Sequence, residues 1–339
     1  MSNVSTPSAI PPMARGRSDA NSLQESIKGL FRNTEFVIFL IVVFLFVLGG
    51  IINPRFLQVE NLKILSRDTA MLAIAAIGVG FTILVAGIDL SVGSIVGLGG
   101  VVVAYLIMVL MLPIWVAIPL TLLMALAIGM GHGMYVTKLK MHGFLITLVT
   151  FGLARGFTLV VTNGFPVTGL PPEFNFIGQG YVSNLIPIPV VICTIVAAAA
   201  YYLLRFTYIG RQIYAAGGNT EAARLSGVNV DARIILCYVL SVMCAATVGM
   251  ITAARLSLGH PSSGEGYELQ AIAACILGGV SFKGGEGSVL GILVGALLIG
   301  TLQNEMIMLN ISPYWHKIVI SLVLLAAITF DYVRRRRRV

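Results

Sequence analysis

Gly210-Arg-Gln-Ile-Tyr-Ala-Ala-Gly-Gly-Asn-Thr-Glu-Ala-Ala-Arg-Leu-Ser-Gly-Val-Asn-Val230 is a polar, helix-forming island between two long apolar segments, near 184–204 and 234–256. Asn219 or Thr220 can cap a helix start there, Glu221 falls in the first turn, where the helix dipole favours a carboxylate, and Gly227 is a natural stop. The result is a helix of about two turns, too short to stand alone in water. On spacing alone an ordinary solvated loop explains the island equally well. The contrast with its flanks decides the fold, because a run of about 20 mainly apolar residues is what a helix needs to cross a bilayer.

Ten segments approach that length, near 36–52, 69–87, 92–112, 114–136, 144–161, 184–204, 234–256, 269–281, 288–307 and 314–332. The third and fourth meet at Leu112-Pro113 in a tight hairpin, and the eighth is short for a full crossing. Of 339 residues 57% are hydrophobic and 11% charged, with a mean hydropathy of +0.94. A soluble domain carries about 25% charged residues, so a soluble fold is excluded. The expectation is an all-α polytopic membrane protein of about ten transmembrane helices. Residues 1–33 are expected to be a mobile, disordered cytosolic tail, since they are polar and lack the early apolar core of a signal peptide. Residues 34–333 form the transmembrane domain, and the basic run 334–339 anchors the end of the last helix at an anionic leaflet.

The net charge of +8 sits in the tails and in short loops between spans, which excludes a nucleic-acid partner. Threading ten spans from an inside N-terminus puts 16 of the 22 basic residues on one side, among them Lys138, Lys140, Arg205, Arg211, Arg224, Arg233, Lys283 and Arg334 to Arg338. Positive loops stay cytosolic, so both termini and the segment 205–232 are expected inside. Arg55, Lys63 and Arg67 run against the rule in the first outer loop, partly balanced by Glu60 and Asp68. Cys193, Cys237, Cys244 and Cys275 lie within apolar segments, where thiols act as small hydrophobes. His132, His142, His260 and His316 are scattered. No disulfide framework, metal site or cofactor is expected.

Polar groups inside the spans are few and therefore informative. Gly87-Ile-Asp-Leu-Ser-Val-Gly-Ser94 sets Asp89 beside flexible backbone and two hydroxyls, Ser91 and Ser94, at the break between two spans. Asp89 is a candidate for a translocation pathway, and it or Ser91 can equally cap the third span. Arg155 either lines a polar cavity, pairs with a carboxylate or snorkels to the outer interface. Gly93-xxx-Gly97 and Gly287-xxx-Gly291-xxx-Gly295 allow helices to approach closely. Ala73-Ile-Ala-Ala76 leading to Ser91, and Ala271-Ile-Ala-Ala274 leading to Ser288, suggest an internal repeat running in one direction.

From residue 36 to 333 the chain resembles the permease subunits of the ribose and related monosaccharide family of bacterial ABC importers. The resemblance rests on Gly87 to Ser94, on Thr162-Asn-Gly-Phe-Pro166, and on Gly210 to Asn219 with Glu221-Ala-Ala-Arg-Leu-Ser-Gly-Val228. It rests further on Gly266-Tyr-Glu-Leu-Gln-Ala-Ile-Ala-Ala274 and Gly284-Gly-Glu-Gly-Ser-Val-Leu-Gly291. Gln270 departs from the family, which often has an acid there, as does Phe282-Lys283, where small polar residues are usual.

The resemblance implies a permease in the bacterial inner membrane, paired with a second permease copy as a homodimer. An ABC ATPase subunit would dock on Gly217, Asn219, Glu221, Ala222, Ala223, Arg224 and Gly227. Glu221 and Arg224, three apart, can make charged contacts on one face. A sugar-binding protein outside the membrane would dock on the loops 162–183 and 257–268, through Asn163, Pro166, His260 and Glu265. Asp89, Ser91, Ser94 and Arg155 are the pathway candidates. The chain contains no Gly-Lys dipeptide, hence no Walker A loop, so ATP hydrolysis is assigned to a separate chain and this one is not an enzyme. A secondary transporter or channel is the other reading, but ion coupling calls for acids inside several spans, and Asp89 is the one clear case.

Overall fold

The computed structural model describes residues 34–336, so the expected tail over 1–33 and the last residues of the basic run, 337–339, lie outside the described residues. Thirteen α-helices follow one another: α1 (Thr34–Ile52), α2 (Val59–Leu84), α3 (Val92–Met108), α4 (Ile114–Lys138), α5 (Gly143–Thr162), α6 (Pro172–Gln179), α7 (Ile188–Phe206), α8 (Tyr208–Gly218), α9 (Thr220–Leu225), α10 (Val230–Leu256), α11 (Tyr267–Leu277), α12 (Val289–Met308) and α13 (Pro313–Arg336). Two small antiparallel ladders pair β1 (Val167–Thr168) with β4 (Leu258–Gly259), and β2 (Tyr181–Val182) with β3 (Ile186–Pro187). The protein is an all-α polytopic membrane protein. Each of the ten expected segments lies on a helix, and six of these helices are long and apolar enough to cross a bilayer.

Two helices form the centre. α2 is buried without a break from Thr69 to Leu84, as expected of a helix apolar on all sides. α10 runs antiparallel to it: Gly78 packs on Ser241, Thr252 reaches Met71, and Arg255 pairs with Asp68. Around them α4, α5 and α7 bury a minority of their side chains and turn Leu123, Leu153, Phe157, Val160 and Ile195 outward, an apolar surface suited to lipid.

α2 begins ten residues before the expected span, at Val59 rather than 69. Of the charged residues read as an outer loop, Glu60, Lys63, Arg67 and Asp68 are instead helical and partnered. Lys63 pairs with Glu60 one turn away at 3.0 Å, Asp68 with Arg255, and Arg67 donates to the Tyr181 hydroxyl. The suggested repeat is not one of equivalent elements, since Ala73–Ala76 lies midway along a 26-residue helix and Ala271–Ala274 within an 11-residue one. What does recur is a long central helix, an irregular return and a shorter helix: α2, residues 85–91 and α3; then α10, residues 257–266 and α11. Because α2 and α10 are antiparallel, the two units point in opposite directions.

The glycine stripe of the ninth span packs as small residues do in membranes. A Cβ on Gly291 would overlap the carbonyl oxygen of Gly278, just past α11, and one on Gly295 that of Ala274 on α11. Gly287 precedes the helix and belongs to the loop before it.

At the opposite end of α2 and α12 a buried amide pair fixes the helices' relative height. Asn61 Nδ2 donates to Asn304 Oδ1 at 2.8 Å, Asn304 Nδ2 donates back to Asn61 Oδ1 at 3.0 Å, and Asn61 also donates to the Phe56 carbonyl. Asn304→Leu leaves the Asn61 amide short of a partner, at a cost of about 1–3 kcal/mol. The expected outcome is a lower thermal unfolding midpoint in detergent for either single leucine variant. The double variant Asn61→Leu/Asn304→Leu should lie above both, and a double variant lower than either single would contradict this role.

Candidate coupling and translocation site

The polar island folds as two helices rather than one. Thr207 caps α8 by accepting from the Gly210 amide at 3.1 Å, and α8 runs directly on from α7. Asn219, in an extended conformation, caps α9 by accepting from the Ala222 amide at 2.9 Å. Gly227 follows with φ +82°, a left-handed conformation that glycine adopts without strain. Asn229 then caps α10 by accepting from the Ala232 amide. The 11-residue α8 was not expected from the sequence. Its glycines and small residues weaken a helix in isolation, and packing against α7 and α10 compensates.

α9 is held by one buried side and one ionic contact. Ala223 packs with Ala216 and Val230. Arg224 bonds Asp231 at 2.8 Å, and Lys138 at the end of α4 reaches the same carboxylate at 3.5 Å. Arg224 is thus turned toward α10 and not toward Glu221. Glu221, Ala222 and Leu225 face outward, and Leu225 is 91% exposed at the tip. An exposed leucine within a basic, polar surface was passed over in the sequence, where it reads as one more apolar residue.

Beneath this surface, α8 rests on two irregular connections. Gly217 is buried where a Cβ would overlap the Leu84 carbonyl oxygen and lie 2.8 Å from the Gly285 amide nitrogen. The Gly285 amide donates to that same Leu84 carbonyl at 2.9 Å, and the Tyr214 hydroxyl donates to the Gly287 carbonyl at 2.8 Å. The last turn of α8 therefore touches both the end of α2 and the loop before α12. Tyr214 belongs to this contact and gave no signal in the sequence beyond being an aromatic in a polar stretch.

The return 85–91 carries Asp89, which is fully buried. Asp89 Oδ1 accepts from the Ser91 amide at 2.9 Å and the Ser91 hydroxyl at 2.6 Å, and Oδ2 accepts from the Ser241 hydroxyl of α10 at 2.7 Å. Three donors satisfy the carboxylate, as burial of a charge requires. Ser91 occupies the cap position of α3 but makes no side-chain cap bond, and its backbone amide bonds Asp89 instead. Thr147 of α5 accepts from the Leu90 amide and lies 3.2 Å from the Ile88 carbonyl, tying the return to a second helix. Since Ser241 lies eleven residues into α10, Asp89 sits about 16 Å from that helix's start at 1.5 Å per residue. Ser94 is buried in the first turn of α3, and its hydroxyl has no partner among the described residues.

At the other end the two expected outer loops meet. The β1–β4 ladder sets Val167 opposite Gly259 and Thr168 opposite Leu258. Asn163 ends α5 in a left-handed conformation, Pro166 leads into β1, and His260 Nδ1 accepts from the Ser262 amide. Glu265 bonds Lys317 at 2.8 Å, and this hydrogen bond together with the ammonium charge holds its carboxyl below the usual carboxylate range. Among the described residues Arg155 forms no ion pair. Its Nη1 donates to the carbonyls of Pro261 and Ser263, drawing the return 257–266 down over Gly97. Among the described residues no group of three or more His, Cys, Asp or Glu is placed to hold a metal.

The family model for the permease component of the branched-chain amino acid transport system matches residues 61–328. The ribose import permease protein of Haemophilus influenzae is 44% identical over 297 residues, 86% of this chain and 91% of that protein. The D-allose transport system permease protein of Escherichia coli is 34% identical over 318 residues, 94% and 97% of the two chains. The L-arabinose transport system permease protein of the same organism is 37% identical over 296 residues, 87% and 89% of the two chains. No solved structure matches. With a match that runs from the first turn of α2 deep into α13 and takes in the polar island and both returns, this chain belongs to the permease family of the branched-chain amino acid transport system.

Proposed function

We propose that the chain is the transmembrane permease subunit of an ATP-binding-cassette importer that moves a monosaccharide delivered by an extracytoplasmic binding protein. The family takes its description from amino acids, but relatives alike along most of the chain are named for ribose, allose and arabinose, and the reading follows them. Those sugars differ in length and stereochemistry while the permeases stay similar, so selectivity is assigned to the binding protein and the class of cargo to this chain. The basic residues around α8 and α9 support assigning that end to the cytosol of a bacterial inner membrane, the side to which the sequence reading also assigns both termini.

The observation that carries the reading is the seat of α8. An exposed helix pair, α8–α9, stands directly on the end of α2 and on the loop before α12 through Gly217 and Tyr214. A separate ATPase docking on Asn219, Glu221, Ala222, Arg224, Leu225 and Gly227 pushes on both connections at once. Through Leu84 the displacement enters the return that holds Asp89. Two permease copies then rock between outward- and inward-open states, with sugar shifting the balance only by its differential affinity for the two. Asp89, Ser91, Ser94 and Arg155 are the polar groups placed to change partners in that motion.

Deletion of residues 219–227 is expected to leave membrane insertion intact and to abolish sugar-stimulated ATP hydrolysis in the reconstituted complex; unchanged stimulation rules out the coupling role. Gly217→Ala must lift α8 off Leu84, at a cost of about 1–3 kcal/mol for overpacking. It should depress stimulated hydrolysis and the unfolding midpoint together. Gly218→Ala is the matched control, because a Cβ there meets nothing within 4 Å. Equal behaviour of the two variants in both assays contradicts the proposed seat.

A further inference from the structure

Residue Glu268, in the first turn of α11, is a charged group the reading above does not use. Its Oε2 is buried and has no hydrogen-bond partner among the described residues, and a Cβ on Gly93 of α3 would overlap it. One turn along the same face of α3, a Cβ on Gly97 would lie 3.0 Å from Arg155 Nη1, 2.9 Å from the Ser263 carbonyl and 3.1 Å from the Pro261 carbonyl. Arg155 Nη2 is likewise buried without a partner. The glycines at 93 and 97 leave a bare helix face, and a carboxylate oxygen and a guanidinium nitrogen that lack partners stand over its two ends.

Unmet groups of this kind in a low-dielectric setting are costly and call for an explanation, which a partner that comes and goes supplies. The two groups also constrain that partner. An anion is repelled by Glu268 and a cation by Arg155, while the neighbouring Glu265 is already neutralised by Lys317. A neutral molecule carrying several hydroxyls meets both demands, since each hydroxyl can donate to the carboxylate and accept from the guanidinium. In this structure the return 260–266 fills the space over the glycines, held by Arg155, so access requires that Arg155 release the Pro261 and Ser263 carbonyls.

We propose that Arg155 and Glu268 form a contact point for the hydroxyls of a passing neutral monosaccharide, exposed when the return 260–266 lifts from the Gly93/Gly97 face of α3. The proposal rests on the importer reading and names the site within it. Arg155 exchanges two main-chain carbonyls for sugar oxygens, so closing the return and holding the sugar are mutually exclusive. The same arginine thereby acts as the closing strap and as one side of the contact.

The test uses proteoliposomes holding the chain with its ATPase and binding protein, and D-ribose, D-allose and L-arabinose as probes. The quantity read is sugar imported per ATP hydrolysed. Glu268→Gln is expected to lower this ratio by about five-fold, the size of one lost hydrogen bond, and Glu268→Asp to recover part of it. Arg155→Lys, which keeps the charge but cannot span both carbonyls, should fall between. A ratio equal to wild type in Glu268→Gln overturns the proposal, as does a parallel fall of import and hydrolysis that leaves the ratio unchanged. If Glu268→Gln fails to assemble, Glu268→Asp and Arg155→Lys decide, and an unaltered ratio in both overturns it. A wild-type complex that imports none of the three sugars sinks the importer reading and this site with it. An active wild type with unaltered variants sinks this site alone.

Discussion

Every amide and carbonyl placed among apolar helices must find its partner inside the protein, and this requirement governs where the chain can stop being helical. The two irregular returns, 85–91 and 257–266, are possible because other elements supply their partners. Thr147 and Asp89 serve the first, the latter through the Ser91 amide. Arg155 and the β1–β4 ladder serve the second. Asp89 lies in the first of these breaks, and Arg155 bonds the second. Their rarity and their position have one cause.

The same requirement explains the glycines. A return can hide only if it lies flat against a helix, and helices without mutual hydrophobic attraction in lipid gain from close approach. Gly93 and Gly97 admit the main chain of residues 261–264 onto α3, and Gly217 admits the end of α2 onto α8. Gly249, where a Cβ would overlap the Val96 carbonyl, brings α10 against α3 in the same way. A side chain at any of these positions would separate the surfaces that keep a return dry.

Much of this was legible in the sequence. Apolar runs place a helix at each of the ten expected segments, six of them long and apolar enough to cross a bilayer, and the caps at Asn219 and Gly227 are where local chemistry places them. The failures share a physical origin. Arg67 and Asp68 are misread from the sequence because their partners, Tyr181 and Arg255, are more than a hundred residues away. α8 has poor intrinsic propensity and depends on tertiary contact. Glu268 sits in a stretch whose pattern is that of a helix start, where an acid needs no special explanation. Its distinction appears only when Gly93 is brought against it. The opposed arrangement of the two long-helix units was hidden for a related reason: similar short strings, Ala73–Ala76 and Ala271–Ala274, fall in elements of different rank.

Geometry also limits how force can pass through the polar island. α8 follows α7 without a linker and is about 16 Å long at 1.5 Å per residue, with Thr207 at one end and Gly217 near the other. A helix does not compress, so under the proposed coupling a push at α9 would become a swing about Thr207 with its largest displacement at Gly217. There the backbone of α8 meets Leu84 and Gly285, which are bonded to each other. Neither connection can yield separately without breaking that bond. Farther along, three hydrogen bonds hold Asp89 to Ser91 and Ser241. A packed interior of this kind changes between discrete arrangements and does not deform continuously, so the return moves as a unit or stays. On the proposed coupling, the arrangement would convert a graded push at the α8–α9 pair into an all-or-none change beside the buried carboxylate.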